Sequence, residues 1–375
     1  MTARRALIVT NDFPPRQGGI QSFVFELARR LPAGRVAVYS SDHPDSKSFD
    51  ADLDFPVWRH PTTLLLPSPA ARQRVLRARA EFGATSIWFG AAAPLGLLAG
   101  PLRSAGAGRL VATTHGHEVG WAMLPLARQA LRHIGDRVDV VTYLGDYTRR
   151  RLSSAFGSRP RLSQLAPGVD TATFTPEASG ALVRDRYGLG DRPVVVCVSR
   201  LVRRKGQDTL IRALPTIRER VPDAALLIVG SGPDAGRLRS LAARLGVGDH
   251  VVLTSGVAYQ ELPAHFAAGD VFAMPCRTRR LGMDVEGLGI VFLEASASGL
   301  PVVAGDSGGA PDAVREGETG LVVDGADVAA VATAVAGLLS DPRRAAAMAA
   351  AGRAWAVSEW QWDAVADRLA ELLQL

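Results

Sequence analysis

Two series of short apolar runs alternate with helix-like segments, and this alternation restricts the fold more than any other feature of the chain. Short buried strands separated by helices predict parallel sheets that are covered by helices on both faces. The sequence is therefore of the α/β class. The first series predicts strands at residues 6–10, 35–40, 86–90, 110–114 and 139–144, and the second predicts strands at 193–199, 225–230, 250–254, 271–274, 301–305 and 320–323.

The length of 375 residues suits two domains, and a turn-like, polar stretch separates the two series. The stretch begins at Pro167-Gly168-Val169-Asp170, so we predict a first domain at 1–168 and a second at 169–356. A last helix, at about 357–375, follows a complete sheet and must bury its apolar face elsewhere. We expect that helix to return to the first domain.

The charge of the chain is unevenly distributed. Residues 1–168 hold 22 basic and 12 acidic side chains, an excess of ten, whereas the remaining residues hold 21 and 25. The first domain is thus the one expected to meet an anionic partner. The basic residues are nearly all arginine and the usual nucleic-acid modules are missing, which favours an anionic membrane surface over nucleic acid. No apolar run approaches the ~20 residues that span a bilayer.

A candidate ligand site lies at Glu286-Gly287-Leu288-Gly289-Ile290-Val291, with Glu294 further on. It follows a predicted strand and precedes a helix that we expect to begin near Ile290. The glycines allow close backbone approach, and a helix N-terminus suits a phosphate. Glu286 and Glu294 would then accept hydroxyls of a sugar and a ribose. The alternative is an ordinary loop-to-helix junction with two solvated glutamates.

Three further strand ends offer polar groups to the same kind of crevice. Gly18-Gly19 follows the first strand, and His115, within Thr114-His115-Gly116-His117-Glu118, follows the fourth. Arg200 and Lys205 bring two cations to the end of the first strand of the second series, where they could neutralise a diphosphate. Each of these features alone is also compatible with a plain turn, a structural histidine or a solvated basic loop.

Two other patterns are weaker. Residues 230–236 resemble a dinucleotide fingerprint with its last glycine one place late, and we interpret them as a turn before a helix. The acidic run at 50–54 suggests a metal site but lies in a loop-like region, so we interpret it as solvated. His-x-His without further ligands does not make a zinc site. The two cysteines, Cys197 and Cys276, form no disulfide framework, which fits a reducing cytoplasm.

Taken together, these motifs and the E-x7-E spacing of Glu286 and Glu294 resemble the retaining glycosyltransferases of family 4. Residues 114–121, 283–289 and 303–311 further resemble the actinobacterial PimB-type phosphatidylinositol mannosyltransferases. The resemblance implies a GT-B fold, with two Rossmann-like doubly wound domains facing a cleft and a C-terminal helix that crosses back. It also implies transfer of a second mannose from GDP-mannose to a phosphatidylinositol mannoside, at the inner face of the plasma membrane.

The resemblance implies a role for each candidate residue. Arg200 and Lys205 would stabilise the leaving diphosphate, Glu286 would hold mannose hydroxyls, and Glu294 would hold the ribose. His115 would contact the sugar near the reacting centre. The backbone around the helix start would complete the donor site, at Gly19, Gly287, Leu288, Gly289, Ile290 and Val291. No cofactor and no metal is expected, because the cations supply the positive charge.

Three alternatives remain at this stage. The first is a family 4 transferase that uses another nucleotide sugar and a soluble acceptor. The second is an NAD-dependent oxidoreductase based on residues 230–236, which lack a proper fingerprint. The third is a non-catalytic sugar-nucleotide or lipid-binding protein, which the set of catalytic-type residues makes less favourable.

Overall fold

A computed structural model of the protein describes residues 4–282 and 284–375. The chain divides into two compact units, the first comprising Met1–Gly168 with Trp362–Leu375 and the second comprising Val169–Gln361. Residues 357–361 thus belong to the second unit, and the returning helix begins at Trp362. Each unit is organised around one parallel sheet.

The described part of the first unit holds a seven-stranded sheet in the order β3-β2-β1-β4-β5-β6-β7, with every pair of neighbours parallel. The strands are β1 (Ala6–Thr10), β2 (Val36–Ser41), β3 (Val57–His60), β4 (Ser86–Phe89), β5 (Arg109–Thr113), β6 (Val140–Tyr143) and β7 (Arg161–Gln164). The helices are α1 (Gly19–Ala28), α2 (Ser46–Ala51), α3 (Pro69–Phe82), α4 (Ala99–Ser104), α5 (Glu118–Met123), α6 (Pro125–Gly135) and α7 (Asp146–Phe156).

All five strands predicted in the first series form, each within one residue of the predicted ends, but β3 and β7 were missed. Both are edge strands of the sheet and are only partly buried. Polar residues interrupt both sequences, Arg59 and His60 in β3 and Arg161, Ser163 and Gln164 in β7, so neither shows the continuous apolar run of a central parallel strand.

Side chains of successive strand residues point to opposite faces, and both faces of the first sheet are buried. Leu7 and Val9 belong to one core, which also contains Leu131 and Ile134 of α6. Ala6 and Ile8 belong to the other core, which is covered in part by α1. A strand buried on both faces explains why 6–10 is apolar throughout.

The described part of the second unit holds six parallel strands in the order β10-β9-β8-β11-β12-β13. All six were predicted within one residue; they are β8 (Val194–Val198), β9 (Ala225–Val229), β10 (Val251–Leu253), β11 (Val271–Met274), β12 (Val302–Gly305) and β13 (Gly320–Val323). The helices are α8 (Ala181–Arg186), α9 (Gln207–Arg220), α10 (Ala235–Arg244), α11 (Leu262–Ala267), α12 (Ile290–Ala297), α13 (Val328–Ser340) and α14 (Pro342–Trp355). Single 3-10 turns lie at Leu95–Leu98, Arg203–Lys205, Gly248–His250, Tyr259–Glu261, Arg280–Gly282 and Ala310–Ala313, and a π-helical turn at Ala356–Trp360 follows α14.

The strand order of each sheet reverses once, at β1 in the first unit and at β8 in the second. In open parallel sheets, ligands bind beyond the carboxyl ends of the strands at such a switch point. A ligand site is therefore expected at the loops that follow β1 and β4 in the first unit and β8 and β11 in the second.

The last helix, α15 (Trp362–Leu373), packs on the sheet of the first unit. Leu369 is fully buried in the core that contains Ala6 and Ile8. The carbonyl oxygens of Leu372 and Leu373 accept hydrogen bonds from Arg109 and Ser86, each at 2.8 Å. These bonds satisfy backbone groups that the end of a helix leaves unpaired.

We expect Leu369→Ala to lower the free energy of unfolding by about 3 kcal/mol, because it leaves a cavity in a closed core. Asp367→Ala, on the exposed side of the same helix, is the matched control and should change stability by less than about 0.5 kcal/mol. Urea unfolding followed by circular dichroism measures both. Equal stability of the two variants would show that α15 does not close the first core.

Candidate active site

The loop between β11 and α12 holds a buried carboxylate with two cationic partners. The Glu286 residue is 6% exposed. Its Oε2 atom lies 2.6 Å from Nζ of Lys205 and 2.7 Å from a terminal guanidinium nitrogen of Arg204. Lys205 is itself buried, so the structure excludes the solvated glutamate that the sequence allowed. The structure thus brings two of the predicted site residues, Lys205 and Glu286, into direct contact.

Sequence reasoning missed Arg204. The run Arg203-Arg204-Lys205 forms a 3-10 turn, which directs Arg204 and Lys205 to Glu286 and leaves Arg203 exposed near Asp234. Three adjacent cations looked equivalent in the sequence. The only available signal was the presence of two acidic residues, Asp284 and Glu286, in the candidate loop.

Glycines shape the backbone at this loop. Gly289 has a φ of 79° at the N-cap of α12, a left-handed conformation that favours glycine. Gly308 also has a positive φ, and a Cβ there would overlap the carbonyl oxygen of Glu286. The amide of Gly309 donates to that same oxygen at 2.9 Å. The close approach of these two loops fixes the position of Glu286.

Helix α12 begins at Ile290, as the sequence predicts, and no side chain of the described residues caps its N-terminus. Leu288 and Gly289 are buried and Val291 lies in the first turn, whereas Gly287 is exposed with open space around it. An open helix start with its positive dipole end can receive an anion. Met283, part of the 283–289 stretch that resembles PimB-type transferases, lies outside the described residues.

Glu294 differs from Glu286 in having no compensating charge. It is 8% exposed, and no hydrogen bond or ion pair of its carboxylate occurs among residues 4–282 and 284–375. Burial raises the pKa of Glu294 to about 7. An uncompensated, buried carboxyl group is a strong acceptor for a ligand hydroxyl.

Arg200 follows β8 and is exposed. Gln207 donates to the backbone carbonyl of Arg200 at 2.9 Å and to the Ser199 hydroxyl at 2.8 Å. The loop backbone is thus held, while the described residues offer no hydrogen bond or ion pair to the Arg200 guanidinium. The structure therefore does not join Arg200 to the pair of Lys205 and Glu286.

In the first unit, Gly19 is the first residue of α1, and open space surrounds the position of its missing side chain. His115 follows β5, and its Nε2 donates to the carbonyl oxygen of Gly90 at 2.6 Å. Burial lowers the pKa of His115 to about 4, the bond to Gly90 opposes that effect, and His117 adds to it. The ring is neutral at physiological pH, which leaves Nδ1 as an acceptor.

The structure assigns contacts to the other polar residues of the His115 motif, for which the sequence predicted no individual role. Glu118 is fully buried, and its Oε2 accepts the backbone amide of His115 at 2.9 Å. Its Oε1 lies 3.4 Å from Nε2 of His117, although no hydrogen bond is formed there. Burial raises the pKa of the Glu118 carboxyl group, an effect that His117 opposes. Gln21 donates to Asp12 at 2.7 Å at the end of β1.

The chain matches two glycosyltransferase family models. Residues 17–173 match the Glycosyltransferase Family 4 model, and residues 183–355 match the model of Glycosyl transferases group 1. The chain is 60% identical to the GDP-mannose-dependent alpha-(1-6)-phosphatidylinositol monomannoside mannosyltransferase of Mycolicibacterium smegmatis, over 98% of this chain and 97% of that protein. The chain belongs to this glycosyltransferase family. The resemblance inferred from the motifs is confirmed.

Another similar protein and a solved structure agree with this assignment. The transferase is 58% identical to the Mycobacterium tuberculosis protein of the same description, over 99% of this chain and 98% of that one. Its fold is similar to the crystal structure of Anabaena HepE in complex with UDP, with a TM-score of 0.79, 20% identity and 99% coverage of both chains. At that identity the structural match supports the GT-B fold alone.

The remaining sequence patterns of the transferase have structural explanations. Residues 230–234 form the turn that precedes α10, as predicted, and residues 235–236 already belong to the helix. Asp50, by contrast, lies in α2 and pairs with Arg59 at 2.6 Å, so the prediction of a solvated loop was wrong there. The described residues contain no cluster of three or more His, Cys, Asp or Glu side chains that could hold a metal ion. Among the helices described, none is long and apolar enough to cross a membrane.

The transferase should show a pH-dependent effect of Glu294. Because the folded state raises the pKa of Glu294 from 4.5 to about 7, the contribution of Glu294 to wild-type stability falls as pH rises through that interval. Glu294→Gln removes the titration. The difference in free energy of unfolding, Glu294→Gln minus wild type, should therefore increase by on the order of 3 kcal/mol from about pH 5 to pH 8.

Urea unfolding of both proteins at the two pH values measures this difference. Glu219→Gln, at an exposed position of α9, serves as the control, and its difference from wild type should not depend on pH. A pH-independent difference for Glu294→Gln would contradict the assignment of an uncompensated carboxyl group.

Proposed function

We propose that the protein transfers mannose from GDP-mannose to a phosphatidylinositol monomannoside. The observation that supports this most directly is the 58–60% identity, over nearly the whole chain, to transferases with that description. In the second unit, the cations around Glu286 and the open start of α12 fit the diphosphate and sugar of such a donor.

We assign the diphosphate to Arg200, Lys205 and the start of α12. Arg200 is exposed with no ionic partner among the described residues, so it is ready to bind an anion. Lys205 is occupied by Glu286 at 2.6 Å and would exchange that contact for the diphosphate. Backbone amides at Gly289 and Ile290 would add donors, beside Gly287, Leu288 and Val291.

We assign the two glutamates to hydroxyl groups of the donor. Glu286 would accept from mannose hydroxyls once Lys205 turns to the diphosphate. Glu294 would accept from the ribose, since its buried carboxyl group has no protein partner in the described chain. In the first unit, Gly19 and His115 retain the roles implied by the family resemblance. The neutral His115 ring can accept a hydrogen bond at Nδ1.

The proposed reaction breaks the bond between the anomeric carbon and the diphosphate oxygen while the acceptor oxygen attacks the same face. The departing phosphate takes the proton of the acceptor hydroxyl, so the configuration is retained without an enzyme nucleophile. The protein contributes by stabilising the charge that develops on the leaving diphosphate. Arg200 and Lys205 supply the positive charge that compensates it. We therefore propose that neither a metal nor another cofactor is required.

A transfer assay tests the proposal. Purified protein with GDP-mannose and phosphatidylinositol monomannoside should yield a product with one more hexose, detected by mass spectrometry, with EDTA present throughout. Arg200→Ala should lower kcat roughly a hundredfold, whereas the neighbouring Arg203→Ala control should retain it. Loss of activity with EDTA that magnesium or manganese restores would contradict the metal-free mechanism. Transfer from another nucleotide sugar to a soluble acceptor would instead support the alternative function.

We further propose that the first unit attaches peripherally to an anionic membrane surface, where a lipid acceptor is available. Its arginines differ in the structure. Arg149 and Arg150 pair with Asp146, and Arg132 lies 3.4 Å from Asp136, so these charges are partly compensated. Three arginines of α3 are exposed, and their guanidinium groups have no hydrogen bond or ion pair among the described residues; they are Arg72, Arg74 and Arg77.

Apolar side chains adjoin these charges in the sequence. Leu64 and Leu66, in the loop before α3, are 53% and 50% exposed. The periodicity of residues 126–134 predicts an amphipathic helix with Leu126 on the same face as Leu131 and Ile134. In the structure Leu126 is instead 81% exposed, next to exposed Leu124 and Met123. Exposed leucines beside unpaired arginines suit the boundary between lipid headgroups and acyl chains.

Vesicle co-sedimentation tests the attachment. Each unpaired arginine contributes roughly 1 kcal/mol near an anionic surface, and salt screens this over about 8 Å. Vesicles that contain phosphatidylinositol should retain the protein at low salt and release it at high salt. A triple Arg→Glu variant at positions 72, 74 and 77 should not bind. The control is a variant with the same charge change at Arg212, Arg220 and Arg239, and equal binding by both variants would contradict the proposal.

A further inference from the structure

The 3-10 turn that holds Lys205 also presents Arg204 to two carboxylates. A terminal nitrogen of Arg204 donates to Oε2 of Glu286 at 2.7 Å. The Nε atom of Arg204 lies 3.3 Å from Oδ1 of Asp284. The planar, forked guanidinium can contact both groups at once, which a lysine ammonium on a flexible chain cannot reproduce.

Asp284 is itself held in place. Its Oδ2 lies 3.4 Å from Arg279, and the backbone amide of Arg279 donates to the Asp284 carbonyl at 2.9 Å. The amide of Arg277 donates to the Arg204 carbonyl at 2.8 Å. Both the backbone and the side chain of Arg204 are therefore fixed from the loop that follows β11.

Arg204 and Lys205 both contact Oε2 of Glu286, but they differ in their other contacts. Lys205 is the cation assigned to the diphosphate, so donor binding removes it from Glu286. Arg204 is restrained by Asp284 and stays in place. A carboxylate with 8% of its side chain exposed then still has one charged partner and a defined orientation.

We propose that Arg204, oriented by Asp284, is a positioning residue that holds Glu286 ready for the transferred sugar. Arg204 acts through Glu286 and does not itself contact the diphosphate. The inference rests on the proposed function, in which Glu286 receives the mannose hydroxyls. It predicts a defect confined to the sugar part of the donor.

Calorimetric binding of GDP and GDP-mannose to the full-length protein separates the possibilities. GDP contains the diphosphate and the nucleoside but lacks mannose. Arg204→Ala should bind GDP within about twofold of wild type and should lose roughly tenfold in affinity for GDP-mannose. Asp284→Asn should show a smaller loss of the same kind. Arg203→Ala, in the same turn, is the control and should bind both ligands as wild type does.

Different results would overturn the inference. If Arg204→Ala bound GDP and GDP-mannose with equally reduced affinity and kept the wild-type Tm, Arg204 would be a diphosphate ligand. If the affinity for both ligands fell equally and the Tm of Arg204→Ala was also lowered, the role of Arg204 would be purely structural. Full GDP-mannose affinity in Arg204→Lys would lead to the same conclusion. Unchanged binding of both ligands by Arg204→Ala would also exclude a positioning role.

The wild-type measurement distinguishes failure of the inference from failure of the proposed function. If wild type transfers mannose and Arg204→Ala keeps normal affinity for GDP-mannose, only the role of Arg204 is rejected. If wild type neither binds GDP-mannose nor transfers mannose, the proposed function is rejected, and the inference falls with it.

Discussion

The burial of the Glu286 carboxylate is the interaction on which the rest of the donor side depends. A charged group removed from water is tolerated only where opposite charges and hydrogen bonds replace the lost hydration. Arg204 and Lys205 supply those charges, and the close approach of the loop at Gly308 and Gly309 fixes the Glu286 backbone. Removing either cation would leave the carboxylate with less compensation, so the loop and the 3-10 turn depend on each other.

The two glutamates of the E-x7-E pattern have opposite electrostatic surroundings. Glu286 is held by cations, whereas burial alone acts on Glu294 and raises its pKa to about 7. One group can exchange a protein partner for a ligand, and the other lacks a protein partner among the described residues. A buried carboxyl group of this kind can gain a hydrogen bond from a ligand hydroxyl without giving up a protein contact.

The first unit shows that a count of arginines does not describe an electrostatic surface. Its excess of ten positive charges includes arginines compensated by nearby acids on α6 and α7. It also includes Arg59, which pairs with Asp50. Arg72, Arg74 and Arg77 of α3, by contrast, are exposed and have no ion pair among the described residues. Since exposed charges act over about a Debye length, the unpaired group on one helix matters more for a membrane surface than the total.

The sequence by itself determined the architecture and the family of this protein. Strands buried on both faces must be apolar throughout, so all eleven predicted strands appear in the described chain within one residue of their predicted ends. Strands β3 and β7 were missed because polar residues interrupt their sequences, whereas the edge strands β10 and β13 are apolar and were predicted. Motif spacing was enough to indicate the glycosyltransferase family, and the helix start at Ile290 followed from its glycines.

Only the tertiary structure decided which charges meet. Arg203, Arg204 and Lys205 are adjacent and chemically similar, and the partner of two of them lies more than eighty residues away. Asp50 and Arg59 are only nine residues apart, but they lie on a helix and a strand that meet only in the folded chain. Contacts of this kind depend on the direction of each side chain within a turn and on the loop packed against it. No local pattern records either of these.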